Sequence, residues 1–178
     1  MEVIFIRHTS VDVPPGVCYG QTDVPLRNSF EQEAAVTSGN LKSYRPKGRD
    51  FDYVYTSPLS RRATYCGYPD AERDNRIMEM NFGDWEMKNF DEISDPRLKE
   101  WYADYINVPA TNGESFAIQY QRVASFLDEL KEKNYEKVAI FAHGGVLICA
   151  QLYAGAIKQE EAFSALTPYG GIIQLRLD

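Results

Sequence analysis

The sequence predicts an α/β fold, a three-layer sandwich with a mostly parallel central sheet flanked by helices and a small inserted cap segment. Three observations predict it. Short apolar, β-branched runs stop abruptly at polar or glycine residues, helical stretches separate them, and one stretch rich in Trp, Tyr, Asp and Asn breaks the alternation.

The first run, Glu2 to Ile6, is almost continuously apolar, as expected of a strand buried on both faces. Arg7 and His8 follow at its carboxyl end. Ser29-x-x-Gln32 resembles a capping box opening a helix through about Leu41, with Phe30, Ala34, Thr37 and Leu41 on one face. Phe51 to Tyr55 repeats the strand pattern and ends at Thr56-Ser57-Pro58. The stretch from 82 to 113 reads as a cap-like insertion carrying a helix from Asp95 or Pro96 through Tyr105, with aromatic residues that either hold a ring-bearing ligand or, the favoured reading, serve its own packing. Glu114 to Lys133 is the clearest helix, because Phe116, Tyr120, Val123, Leu127 and Leu130 recur at helical spacing. Lys137 to Ala142 is another buried-strand run, ending at His143-Gly144-Gly145. Val146 to Ala154 is apolar nearly all round and predicts a helix buried against the sheet. Ile172 to Leu177 alternates in part and suits an edge strand. One domain over residues 1–178 is expected.

Charge and composition narrow the partners. A net charge of −7 without any Lys/Arg run argues against nucleic acid and anionic membranes. A small anion stays compatible, because screening over about 10 Å lets a few placed arginines outweigh distant carboxylates. The longest apolar runs fall well short of the roughly 20 residues that cross a bilayer. The opening residues lack the basic region and cleavage site of a signal peptide, so a cytoplasmic location is expected. The three cysteines, Cys18, Cys66 and Cys149, form no Cys-x-x-Cys pair and read as core fillers.

Only two histidines occur, His8 and His143, and each directly follows a buried-strand run, where open α/β sheets bind ligands. Arg7 offers a planar fork to a phosphate or carboxylate, and Arg61, just past Ser57-Pro58-Leu59-Ser60, supplies a second. Two forks favour a dianion. The chain has no His-Glu-x-x-His, no Asp-x-Asp cluster, no phosphate-cradling Gly-rich Lys loop and no Cys-x5-Arg loop. A magnesium site built from carboxylates alone stays open; otherwise no metal or cofactor is expected, and histidine is the candidate nucleophile.

Five motifs in order resemble the histidine phosphatase superfamily (phosphoglycerate mutase-like): Arg7-His8-Thr9; Ser57 to Arg61; Arg76-Ile77-Met78-Glu79 with Phe82 to Glu86; Gly113-Glu114-Ser115; and Ala142 to Gly145. Gly16 to Leu26 resembles in particular the α-ribazole phosphatases of cobalamin nucleotide-loop assembly. The resemblance implies a phosphomonoesterase acting on a small-molecule phosphate ester, with His8 as nucleophile and Arg7, Arg61 and His143 holding the peripheral phosphoryl oxygens. It gives Glu79 the role of proton donor, with Glu86 as a nearby rival, and adds Gly144, Tyr19 and Gly20 to the phosphate-binding set. The implied substrate is α-ribazole 5′-phosphate or adenosylcobalamin 5′-phosphate. A broad-specificity phosphatase, a phosphoglycerate mutase-like enzyme and an inactive phosphate-binding module are the alternatives. Thr9 stands where the family commonly has glycine, and Pro14 lies near where mutase-like members carry a phosphate-binding asparagine, which points away from mutase chemistry. After Arg61, the residues before Gly67 allow only about two helical turns.

Overall fold

A computed structural model of the chain describes residues 1–59 and 67–178. The expectations about Arg61, Cys66 and the short helix after Arg61 therefore lie outside the described residues. Among the described residues, β1 (Glu2–Arg7), β2 (Tyr53–Thr56), β3 (Glu72–Arg73), β4 (Lys137–Ala142) and β5 (Ile172–Arg176) form one sheet in the order β3-β2-β4-β1-β5. The pairs β1/β4, β2/β4 and β2/β3 are parallel, and β5 joins β1 antiparallel at the edge. The fold class read from the sequence therefore holds. Strand β2 starts at Tyr53 rather than Phe51.

Alternation along the strands builds two cores. Val3, Phe5, Val138 and Ile140 face α3 (Phe116–Lys131) and α4 (Gly144–Tyr153). Ile4, Ile6, Ala139 and Phe141 face the other way, toward Leu41 at the end of α1 (Phe30–Leu41). Residues Val3 to Ile6 and Val138 to Ile140 are at most 1% exposed, which is why these runs lack a polar face. A third cluster sits over the sheet's carboxyl edge, where Cys18, Trp85, Leu98 and Ala110 pack with Phe82, Phe90, Ile93 and Trp101. Its helix, α2 (Arg97–Ala103), is shorter than expected at both ends. Asp95 caps it by accepting the Arg97 amide, and Asp104 has left helical geometry.

The Ser29 capping box does not form. Ser29 is itself helical in backbone conformation, and its hydroxyl donates to Glu33 Oε1 at 2.6 Å instead of accepting an amide. Glu33 has other work: its two oxygens take the amide and hydroxyl of Ser10 at 2.7 and 2.6 Å, anchoring the loop that follows His8. No described helix is long and apolar enough to cross a membrane.

Candidate active site

The parallel register brings the chemistry together. Arg7 pairs with Ala142 across β1 and β4, so His8 and His143 emerge side by side from adjacent strands. The His8 amide donates to the Ala142 carbonyl at 3.1 Å and the Ser57 amide to that of Phe141 at 2.9 Å, which places Ser57 on the other side of His143. The two imidazole rings stand 5.1 Å apart, edge to face. Both histidines are buried.

Each ring is oriented by a short contact. His8 Nδ1 lies 2.6 Å from the Thr9 carbonyl oxygen, and His143 Nε2 lies 2.7 Å from the Ser57 hydroxyl. His143 also caps α4, so the Gly144 amide opens a helix of ten residues beside both rings. Arg7 donates from Nη1 to the Thr167 carbonyl at 2.6 Å, and its guanidinium carbon sits 4.1 Å from the centre of the Tyr169 ring.

Glu79 faces this group from the loop after β3. Its Oε1 accepts from the Met80 amide at 2.9 Å and from Gln119 Nε2 at 2.8 Å, and its Oε2 accepts from the Gly145 amide at 3.1 Å. Gly145 is a glycine for want of space, since a Cβ there would stand 2.4 Å from Glu79 Oε1. The backbone of the same loop is tied down by Arg122, which donates to the carbonyls of Arg76, Met78 and Glu79 while pairing with Glu114.

Glu86 serves a different purpose. Its carboxylate collects the amides of Gly20, Gln21, Thr22 and Phe82 and the Thr22 hydroxyl, all within 3.1 Å. Burial pushes its carboxyl up, but the Thr22 hydroxyl and the backbone amides outweigh that and hold it below the ordinary value. An acid clamped in its charged form by five donors joins the 20–22 loop to the cap and is a poor proton donor.

A cavity of about 300 Å³ opens above these groups. Arg7, His8, Glu79, Gln119, Gly144 and Gly145 supply its polar floor, and Tyr19, Phe82, Phe90, Trp101, Tyr105, Phe116 and Phe163 form an aromatic wall. The cap aromatics thus do both things the sequence suggested as alternatives, because Phe82, Phe90 and Trp101 pack on one another and line the cavity. Among the described residues, no group of three or more His, Cys, Asp or Glu side chains gathers as a metal site would.

The family model for the histidine phosphatase superfamily (branch 1) matches residues 3–178. The chain belongs to this superfamily. It is 34% identical over 158 residues to the adenosylcobalamin/alpha-ribazole phosphatase of Salmonella typhimurium, covering 83% of this chain and 76% of that protein. Phosphoserine phosphatase 1 of Hydrogenobacter thermophilus is 24% identical over 150 residues, or 79% of this chain and 69% of that one. Among solved structures, the alpha-ribazole phosphatase from Shigella flexneri superposes with a TM-score of 0.85 at 25% identity, covering 100% of this chain and 91% of that one. The protein is accordingly a phosphatase-type enzyme of this superfamily.

Of the histidine phosphatase residues expected from sequence, Arg7, His8, Glu79, His143 and Gly144 converge, and Tyr19 lines the cavity rim. Gly20 is placed otherwise. Its amide donates to Glu86, and a Cβ there would stand 1.8 Å from the Met80 carbonyl oxygen, so a close backbone approach requires glycine at this position. Sequence reasoning missed Gln119, Gly145, Tyr169 and the Arg122–Glu114 pair. For Gln119 a signal existed: it falls between Phe116 and Val123 on the buried stripe of α3, and a buried amide needs a partner.

Proposed function

We propose that this phosphatase hydrolyses a phosphomonoester through a phosphohistidine at His8, and that its substrate carries a flat apolar ring, with α-ribazole 5′-phosphate the favoured compound. The observation that carries the reading is the division of one cavity into a polar floor and an aromatic wall. Beyond Arg7 and Glu79, no described lining residue is charged, so the wall offers nothing to the ammonium and carboxylate of phosphoserine. It offers stacking surface to a ring.

In the mechanism, His8 Nε2 attacks phosphorus and the bond to the ester oxygen breaks. Glu79 gives its proton to the departing alkoxide. Arg7 and His143, with Arg61 and the Gly144 amide, stabilise charge spread over the phosphoryl oxygens; removing one such donor costs about 2.7–4 kcal/mol of barrier. Water then attacks the phosphohistidine, Glu79 taking its proton, and inorganic phosphate leaves with His8 restored.

The test is phosphate release from a substrate panel in EDTA, without a bisphosphate primer. The reading expects kcat/KM for α-ribazole 5′-phosphate to exceed that for phosphoserine, 3-phosphoglycerate and a generic aryl phosphate by at least about tenfold. It also expects Trp101→Leu to narrow that gap mainly through KM. Equal use of all four esters contradicts the substrate assignment, and a requirement for primer or metal contradicts the mechanism.

A further inference from the structure

We propose that Tyr169 is a positioning residue that acts through Arg7, its ring holding the guanidinium at the orientation in which it meets the phosphoryl group. This rests on the reading of Arg7 and His8 given above. The guanidinium is held on several sides. The Tyr169 ring centre lies 4.1 Å from Cζ, and the backbone of α4 lies close as well, since a Cβ on Gly144 would stand 3.3 Å from Arg7 Cζ and Nε. Nη1 is fixed by the Thr167 carbonyl.

Among the described residues no carboxylate pairs with Arg7, whereas Arg76 and Arg122 are both held by acids. The difference has a chemical purpose. A carboxylate would neutralise the charge and consume the N–H donors that an incoming phosphate needs. A ring face orients the cation, leaves its charge in place and takes none of its in-plane donors. Arg7 Nε is buried with no protein partner among the described residues. The ring also offsets the cost of placing a cation beside the positive end of α4.

Tyr169 is itself well anchored. On either side of the reactive dipeptide the backbone is pinned to its segment, the Gly170 amide donating to the His8 carbonyl at 3.0 Å and the Arg7 amide to the Gly171 carbonyl at 2.9 Å. Its hydroxyl meets that of Tyr19 at 2.5 Å, and its ring centre is 5.5 Å from that of His8. The side chain is 42% exposed, so substitution removes the ring without opening the core.

The experiment measures kcat and KM on an aryl phosphate for wild type, Tyr169→Phe, Tyr169→Ala, Arg7→Ala and the Arg7→Ala/Tyr169→Ala double variant. Thermal melting is followed in parallel, and His8→Ala serves as control. Tyr169→Ala is expected to lower kcat about tenfold with little change in melting, a loss within the range of a cation–π contact. Tyr169→Phe, which keeps the ring, is expected to restore most of that loss, and Tyr169→Ala is expected to add nothing once Arg7 is gone. If the ring acts independently of Arg7, the losses multiply; if only the link to Tyr19 matters, Phe is as damaging as Ala. Either result overturns the proposal, as does full activity in Tyr169→Ala. If His8→Ala stays active, the reading of the site fails as a whole; if it is inactive while Tyr169→Ala is unimpaired, only the role of Tyr169 fails.

Discussion

His8 Nδ1 lies 2.6 Å from the Thr9 carbonyl oxygen. A carbonyl only accepts, so in this contact Nδ1 carries the hydrogen, which leaves Nε2 as the nitrogen with the lone pair whenever the ring is neutral. The proposed nucleophile is thereby set to one tautomer by the residue next to it in the chain. His8→Ala should therefore lower kcat by more than about 10³-fold, the scale on which nucleophile deletions act, while the protein still melts cooperatively. Phosphate release assays with parallel calorimetry check both halves.

Glu79 is the acid in this account. Glu79→Gln keeps the shape but removes the proton, so it should lower kcat/KM, which reports the first transfer, by about 10²-fold or more for an alkyl phosphate and far less for an aryl phosphate with a good leaving group. The values of kcat/KM on the two esters decide, because kcat also contains the second step that both share. Equal losses would move the acid role elsewhere, although not to Glu86, whose five donors hold it ionised.

The paired glycines should respond unequally. At Gly145 a methyl group would sit 2.4 Å from Glu79 Oε1 and 2.8 Å from Gln119 Nε2, displacing the carboxylate. At Gly144 the nearest atom is Leu166 Cδ1 at 2.7 Å, the tip of an exposed side chain that can swing away. Gly145→Ala should lose at least about tenfold more kcat on an alkyl phosphate than Gly144→Ala. Kinetics of the two variants test this.

Glu86 makes a stability prediction. Its carboxyl value is lowered in the folded state, so its contribution is fully present above the ordinary carboxyl value of 4.5 and is lost as pH falls through the folded value. Glu86→Gln should cost about 1–3 kcal/mol at pH 7, because a buried set of donors loses its charged acceptor. In urea titrations the gap between wild type and variant should shrink as pH falls below 4.5. A gap that is constant with pH would count against the clamp.

Much of this site was legible in the chain. His8 and His143 stand at strand ends because their runs are too apolar to be half exposed, and Arg7 follows from the same placement. Glu79 was reached by family motif, and its preference over Glu86 became physical only once the donors around Glu86 were located. Gln119, Gly145 and Tyr169 were missed because their roles depend on contacts across 40, 66 and 162 residues of chain, to Glu79 and Arg7. Periodicity within one element carries no such information. The failed Ser29-x-x-Gln32 capping box has the same origin: the Ser29 hydroxyl donates to Glu33, the acid that also anchors Ser10 from the loop after His8, instead of accepting a helix amide. Tertiary demand overrode the local motif.

The central claim is that the phosphoryl group rides on His8. Rapid acid-free quenching during turnover of a labelled ester, followed by peptide mapping under alkaline conditions, measures this directly. The account predicts label on the peptide containing His8, on Nε2, absent in His8→Ala and accumulating in Glu79→Gln with an aryl substrate. Turnover with no label on His8, or label on His143, would contradict it.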